Sequence, residues 1–354
     1  MHPYRLILSA GASCLFSALV HAKTGTTEPV GYNAYALLAS SDTRVSVPLN
    51  RRAVFEGQVS SASSNTIVTS GNPNWTFNAY AYASGQQANT YYVRFQSGLR
   101  TGAYFTITGN GANSLTLDLA DDSLAGVSSG DSFLLIPYWT LGTLFPLADS
   151  GVSFTPTISP VAVKTQIFLL DPTPPGINIS ATAVFRHRNG AWRKVGEALT
   201  TSYDDVILFP DSHFIVRNST EPGTLTVVGD VQVTAIAIPL VVRSDTKQDN
   251  IIGLSRPISV SLIGSNLISS GAFRPSLSVG LRTDELLIFD NTFQAINKAA
   301  SETFFFYNGA WRKFGQDLSI DAGGTEAFST EKITIIRKGT GSQGNHVWMN
   351  QPTY

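Results

Sequence analysis

The sequence is short of cysteine, of charge and of long apolar runs, and each shortage excludes something. Its one cysteine is Cys14, which falls inside the N-terminal leader described below. The mature chain therefore has no disulfide, no thiol nucleophile and no cysteine-ligated zinc. Charged residues make up 14% of the chain, against the roughly 25% usual in soluble proteins. The 24 Lys and Arg nearly balance the 25 Asp and Glu, leaving a formal net charge of −1. No broad field is present to attract nucleic acid or an anionic membrane. Beyond the leader, no segment approaches the ~18 consecutive apolar residues that a transmembrane helix needs. The mature chain is expected to have no membrane span and no nucleic-acid partner.

The first 22 residues have the make-up of a secretory leader. Arg5 supplies the positive start, Leu6 to Val20 a short apolar run, and Val20-His21-Ala22 a small-residue cleavage site. The chain is expected to be exported and to begin, when mature, at Lys23. The final compartment is then the periplasm, the outer surface or the extracellular space.

What the chain has in abundance is β pattern, and one stretch of it occurs twice. Asn189-Gly190-Ala191-Trp192-Arg193-Lys194 returns letter for letter, 119 residues later, as Asn308-Gly309-Ala310-Trp311-Arg312-Lys313. Asn-Gly between β-prone runs predicts a type I′ hairpin, because both residues accept positive φ cheaply. Such a hairpin places Phe185, His187, Trp192 and Lys194 on one face, and Phe304, Phe306, Trp311 and Lys313 on the corresponding face. That face could be an aromatic binding surface; a core position for each Trp, with the Lys stem over its edge, is the reading preferred. The hairpin also sets Arg186 opposite Arg193. Two like charges there predict a nearby carboxylate, from Glu197, Asp204 or Asp205. At the same offset, residues 154–196 align without a gap on 273–315, and sixteen of these 43 positions are identical. An internal duplication is the expected explanation.

The fold class expected is all-β: an N-terminal antiparallel barrel or sandwich followed by two duplicated β-modules. Short strand patterns recur over residues 53–140 with turn residues between them and no helical stretch. Residues 23–150 are assigned to the N-terminal β-domain, 151–245 to the first module and 246–354 to the second. Trp75 to Tyr82 alternates with period two and reads as a strand. Residues 172–181 and 291–301 read as irregular.

Several chemistries can be weighed. Gly126-Val127-Ser128-Ser129-Gly130 has the nucleophile-elbow spacing, but a strand pattern follows where a helix is required. Gly339-Thr340-Gly341-Ser342-Gln343-Gly344 has dinucleotide-loop spacing, but too little chain follows for the helix. His187, His213 and His346 are far apart, and Asp118, Asp121, Asp122 and Ser123 lack EF-hand spacing. Asp204 and Asp205, being adjacent, would point to opposite faces of a strand and so form no glycosidase pair. No catalytic residue, metal or cofactor is expected. The most suggestive ligand candidates are the aromatics Trp75, Tyr80, Tyr82 and Tyr91, which could stack on sugar rings.

The run Pro137-Tyr138-Trp139-Thr140-Leu141-Gly142-Thr143-Leu144-Phe145-Pro146, together with the two Asn-Gly-Ala-Trp-Arg-Lys hairpins, resembles an uncharacterised family of exported, β-rich proteins from environmental Gram-negative bacteria. The resemblance implies export and an all-β build, and it carries over no activity and no site residue. The function expected is that of an exported, non-enzymatic structural or interaction protein of the envelope or extracellular space, acting on itself or on other envelope proteins. The alternative is a polysaccharide-binding protein; a hydrolase ranks lowest, for want of a converging acid, base and nucleophile.

Overall fold

The computed structural model describes residues 29–145, 154–157, 163–171, 173–219, 221–254, 256–341 and 344–352. The leader at 1–22, with Cys14, lies outside them, as do the cleavage site and Pro146. Among the described residues the chain is nearly all β, with a single helical turn at Leu141–Leu144 and a 3-10 turn at Ile263–Ser265.

Six strands close a barrel in the order Phe55–Ser63, Thr66–Thr69, Ser114–Asp118, Tyr104–Asn110, Tyr91–Phe95 and Ser132–Pro137. Alternation makes its core: Phe105, Ile107, Leu115 and Leu117 point inward, beside Val59, Val93 and Phe133.

The segment before the barrel does not belong to it. Val30–Leu37 pairs with Gly223–Val231, and Ser41–Ser46 pairs with His213–Asn218. The barrel is therefore an insertion within the first module, which corrects the boundaries expected from the sequence. The mixed pattern of Ser41–Ser46 hid this strand: Ser41, Asp42, Thr43 and Ser46 are buried polar residues, held by neighbours remote in sequence. Likewise Ile236–Val242, placed by sequence in the first module, pairs with Gly344–Asn350 in the second.

Each module is built on a five-stranded sheet. The first runs Ala191–Lys194, Ala181–Arg188, Gln166–Leu170, His213–Asn218, Ser41–Ser46; the second runs Ala310–Lys313, Glu302–Tyr307, Glu285–Asp290, Lys332–Lys338, Gln248–Ile251. The strand order is the same in both. So are details at the 119-residue offset: Tyr203 N–H donates to Trp192 O at 2.9 Å, and Ala322 N–H to Trp311 O at 2.9 Å. Trp192 lies 5.3 Å from Phe154 and 5.6 Å from His187, while Trp311 lies 4.9 Å from Phe273 and 5.6 Å from Phe306. Both indoles are buried in their module cores. The reversals carry positive φ at Asn189 and Gly190 (51° and 77°) and at Asn308 and Gly309 (49° and 75°), as the I′ turn requires.

The carboxylate expected beside Arg186 and Arg193 is absent among the described residues. Glu197 faces Lys194, Asp204 accepts the Trp192 N–H, and Asp205 accepts the Tyr82 hydroxyl. Arg193 instead turns back along its strand and donates to the carbonyls of Arg188 and Asn189. Backbone dipoles of the reversal take the place of the anion.

The second module also buries an ion cluster. The Asp284 carboxylate accepts from Arg274 Nη2 at 2.8 Å, from the Gly339 N–H at 3.0 Å and from the Lys338 ammonium. Burial alone would raise its pKa, but the bonds from Arg274 and Lys338 outweigh it and hold the carboxyl below its usual range. A depressed carboxylate stabilises the fold above its unfolded pKa and loses that contribution as pH falls through the folded value. Asp284→Asn leaves Lys338 buried and uncompensated, so the expected loss is about 3–5 kcal/mol, read as a lower urea midpoint at neutral pH. The penalty should shrink as pH falls below about 4, where Asp284 of the unfolded chain begins to protonate, and vanish only once pH passes below the depressed folded value.

Candidate functional site

The aromatic segment singled out by sequence is not an exposed row on a strand. Residues 75–82 are a looped cap, not a strand. Asn74 and Asn78 take positive φ (55° and 56°), and the Asn110 side chain pins the loop by donating to Thr76 O and accepting from the Tyr80 N–H. The pattern of alternation was outweighed by this asparagine chemistry. Within the cap the rings stack edge to face in series: Phe55 on Trp75 at 4.9 Å, Trp75 on Tyr80 at 5.5 Å, Tyr80 on Tyr91 at 5.3 Å. Tyr91 is buried. Trp75 and Tyr80 pack partly buried against the barrel core. Tyr82 alone of the four is exposed, and its hydroxyl donates to Asp205 across to the first module.

A better-formed site lies where the barrel meets the modules. A cavity of about 600 Å³ opens there, between the barrel wall (Tyr104, Thr106, Tyr138), the loop 118–122 and the outer face of the Ile236–Val242 ribbon (Ala237, Pro239, Val347, Met349). Its size is that of a small-molecule site. Tyr138 anchors a ring cluster, 4.5 Å from Tyr92 and 5.7 Å from Phe209, with Tyr104 5.5 Å from Tyr92. The Tyr138 hydroxyl shares a hydrogen bond with Thr106 at 2.9 Å, and the Tyr92 hydroxyl donates to Asn50 at 3.1 Å. Burial holds the Tyr104 and Tyr138 phenols protonated well above their usual range. Tyr104 in turn hydrogen-bonds Asp211, whose carboxyl burial pushes upward against that bond.

The rim is apolar and open: Leu99 is 90%, Phe209 47% and Val347 44% exposed. Four carboxyls line the cavity, from Asp118, Asp121, Asp122 and Asp211, against the single cation Arg100, which pairs with Asp122. The acidic cluster seen in sequence thus belongs to this wall. Aromatic faces, polar groups and net negative charge together suit an uncharged or cationic ligand with both an apolar face and hydrogen-bonding groups.

The other motifs fall elsewhere. Gly126–Gly130 is a turn leading into the strand Ser132–Pro137, and the Ser128 N–H is held by Asp131. Gly339–Gly344 runs into the strand Gly344–Asn350, and residues 342–343 lie outside the described ones. His187 stacks on Trp192, His213 sits between Arg44 and Ile252 O, and His346 pairs opposite Leu240. Asp204 and Asp205 lie in a turn and not on a strand. Tyr104, Tyr138, Phe209 and Asp211 were missed by sequence reading, since no local pattern links residues drawn from a barrel strand, its exit and a module turn.

A raised carboxyl pKa means that ionising Asp211 costs the folded state stability, and the cost grows as pH rises from the unfolded value, about 4, through the folded one. Asp211→Asn keeps an acceptor for Tyr104 without the charge. Its urea midpoint relative to wild type is expected to improve as pH rises from about 4 and to level off above the folded value; a relative decline as pH rises from about 4 would show that the fold favours the carboxylate. No protein family, curated protein or solved structure matches the chain, so function must be argued from this geometry.

Proposed function

We propose that the chain is an exported, non-enzymatic interaction protein of the cell envelope or extracellular space, and that its junction cavity takes a neutral saccharide unit of a polysaccharide. One observation carries the ligand assignment: Tyr104 and Phe209, backed by the buried Tyr138, meet Asp211 at the edge of a cavity with an excess of carboxyls. Aromatic faces stack on the C–H face of a sugar, the hydroxyl and carboxyl groups read its hydroxyls, and the negative lining disfavours uronates and phosphates. The Asp211 carboxyl is engaged by Tyr104, which supports recognition over turnover. The leader at 1–22 supports export, and the constant offset of 119 residues supports internal duplication as the origin of the two modules.

Retardation of the mature chain in gels cast with neutral polysaccharides tests the reading. Phe209→Ala, at the open rim, is expected to weaken retardation about tenfold in affinity, or roughly 1.4 kcal/mol, with an unchanged thermal melt. A broad panel of neutral glycans that leaves wild type unretarded would sink the assignment.

Self-association is a second reading with its own support. Strand Val30–Leu37 forms the edge of its sheet and carries no charged residue or proline, the features that normally block edge pairing. Its outward Val30 and Tyr32 are 67% and 74% exposed, with Val228 beside them at 54%. The equivalent ribbon of the second module is met by the barrel, where the Ala237 N–H donates to Gly102 O at 3.1 Å, and its outer face walls the junction cavity. By that example, a second copy of the chain would cover the open ribbon. Sedimentation of wild type is expected to show concentration-dependent dimers, and Tyr32→Lys to remain monomeric. A wild type that stays monomeric at its highest soluble concentration removes this reading and leaves the saccharide one intact.

A further inference from the structure

A second cavity, of about 690 Å³, lies between the two five-stranded sheets. Two reciprocal clamps bound it. Asp42 accepts from Arg217 of its own module at 2.6 and 2.8 Å and from the Asn297 N–H of the other at 2.7 Å. Asp249 accepts from Arg337 at 2.7 and 3.0 Å and from the Asn178 N–H at 2.7 Å. Arg217 and Arg337 are thereby neutralised.

Two further cations line the same cleft with no carboxylate in ion-pair reach among the described residues: Arg44 and Lys298. Arg44 lies 3.8 Å over the Phe289 ring and donates to His213 Nε2 at 2.8 Å; Lys298 donates to Asp290 O. Burial lowers the pKa of Arg44 to about 10, with Asp42 and Asp249 opposing; burial also lowers that of Lys298, and Arg44 adds to the effect. At about 10, Arg44 stays cationic at neutral pH.

The equivalent positions in the other half of the cleft break the symmetry in one sense. Pairing Asp42 with Asp249 sets Arg44 against Ile251, and the 119-residue offset sets Lys298 against Ile179. One end is cationic and the other apolar, and between them run Phe168, Leu170, Leu287 and Ile335. We propose that this inter-module cleft binds an anionic amphiphile, its carboxylate or phosphate headgroup at Arg44 and Lys298 and its apolar body along Leu170, Leu287 and Ile335. The site is distinct from the junction cavity and does not depend on the saccharide reading.

Calorimetric titration of the full mature chain with dodecanoate, dodecyl phosphate and dodecanol, each below its aggregation limit, tests it. Saturable binding of at least one anion, about tenfold tighter than the alcohol, is expected. Which anion binds separates a carboxylate ligand from a phosphate one. Lys298→Ile, which installs the residue of the opposite half, should weaken anion binding about tenfold and leave the alcohol unchanged. No saturable binding of either anion, alcohol binding as tight as anion binding, or equal anion binding by wild type and Lys298→Ile would each overturn the proposal. Should Lys298→Ile fail to fold, the comparison of anion with alcohol on wild type decides alone.

Discussion

Two buried aspartates, Asp42 and Asp249, hold the architecture together. Each takes a bidentate arginine from the neighbouring strand of its own sheet and a backbone N–H from an asparagine of the opposite module. The asparagines close the circuit, since Asn297 Oδ1 accepts from Arg217 and Asn178 Oδ1 from Arg337. Asn178 and Asn297 hold nearly the same left-handed φ, 55° and 54°, a conformation that asparagine tolerates better than most residues. Buried ion pairs add little net stability, because desolvation offsets attraction, yet breaking one is costly. Their value here is geometric. One carboxylate fixes both the strand register within a sheet and the docking of one sheet on the other.

That coupling draws residues 30–50, which precede the barrel in the chain, into the first module. Asp42 sits on Ser41–Ser46, so the first module and its contact with the second are incomplete without this early strand. The barrel then fills a connection that the second module makes briefly: Trp139–Thr140 pairs with Ile207–Leu208 in one, Val260–Ser261 with Glu326–Phe328 in the other. Being inserted at both ends, the barrel is tethered. Arg51 donates to Tyr138 O, Arg94 to Gln232, and Tyr82 to Asp205. At Gly102 an added Cβ would lie 2.7 Å from Ala237 N, so glycine is what lets the barrel loop reach the second module. A cavity walled by three such units keeps its shape through contacts that no single unit supplies.

The sequence announced what is local and concealed what is not. The hairpins were legible because Asn-Gly encodes its own backbone conformation and Trp192 and Trp311 recur with their ring neighbours at one offset. The barrel strands were legible from alternation bounded by turn residues. Trp75 to Tyr82 misled because its alternation coincides with Asn74 and Asn78, whose positive φ breaks a strand, and because Asn110, which pins the loop, is remote. Ser41–Ser46 did not announce which sheet it joins, because a strand buried largely through polar residues lacks a clear hydrophobic signature. The module side of the junction cavity was invisible because Asp211 is an ordinary turn aspartate until the fold sets it beside Tyr104.

Comparison of the two modules separates what the fold requires from what it leaves free. Positions alike in both include Asp42 with Asp249, Arg217 with Arg337 and Asn178 with Asn297 in the clamps, the two indoles in the cores, and the Asn-Gly turns whose backbone demands them. Among the positions that differ, two on the cavity side and outer ribbon stand out. Arg44 stands where the other module has Ile251, and the outer ribbon is open in one module and met by the barrel in the other. A packing constraint acts equally on equivalent positions, because both modules must satisfy the same backbone. A buried cation where its counterpart is isoleucine costs desolvation that the fold does not ask for, since the second module forms the same sheet without it. Phe289, His213 and the charges of Asp42 and Asp249 offset part of that cost within the fold, and an anion bound at the proposed site would offset more of it.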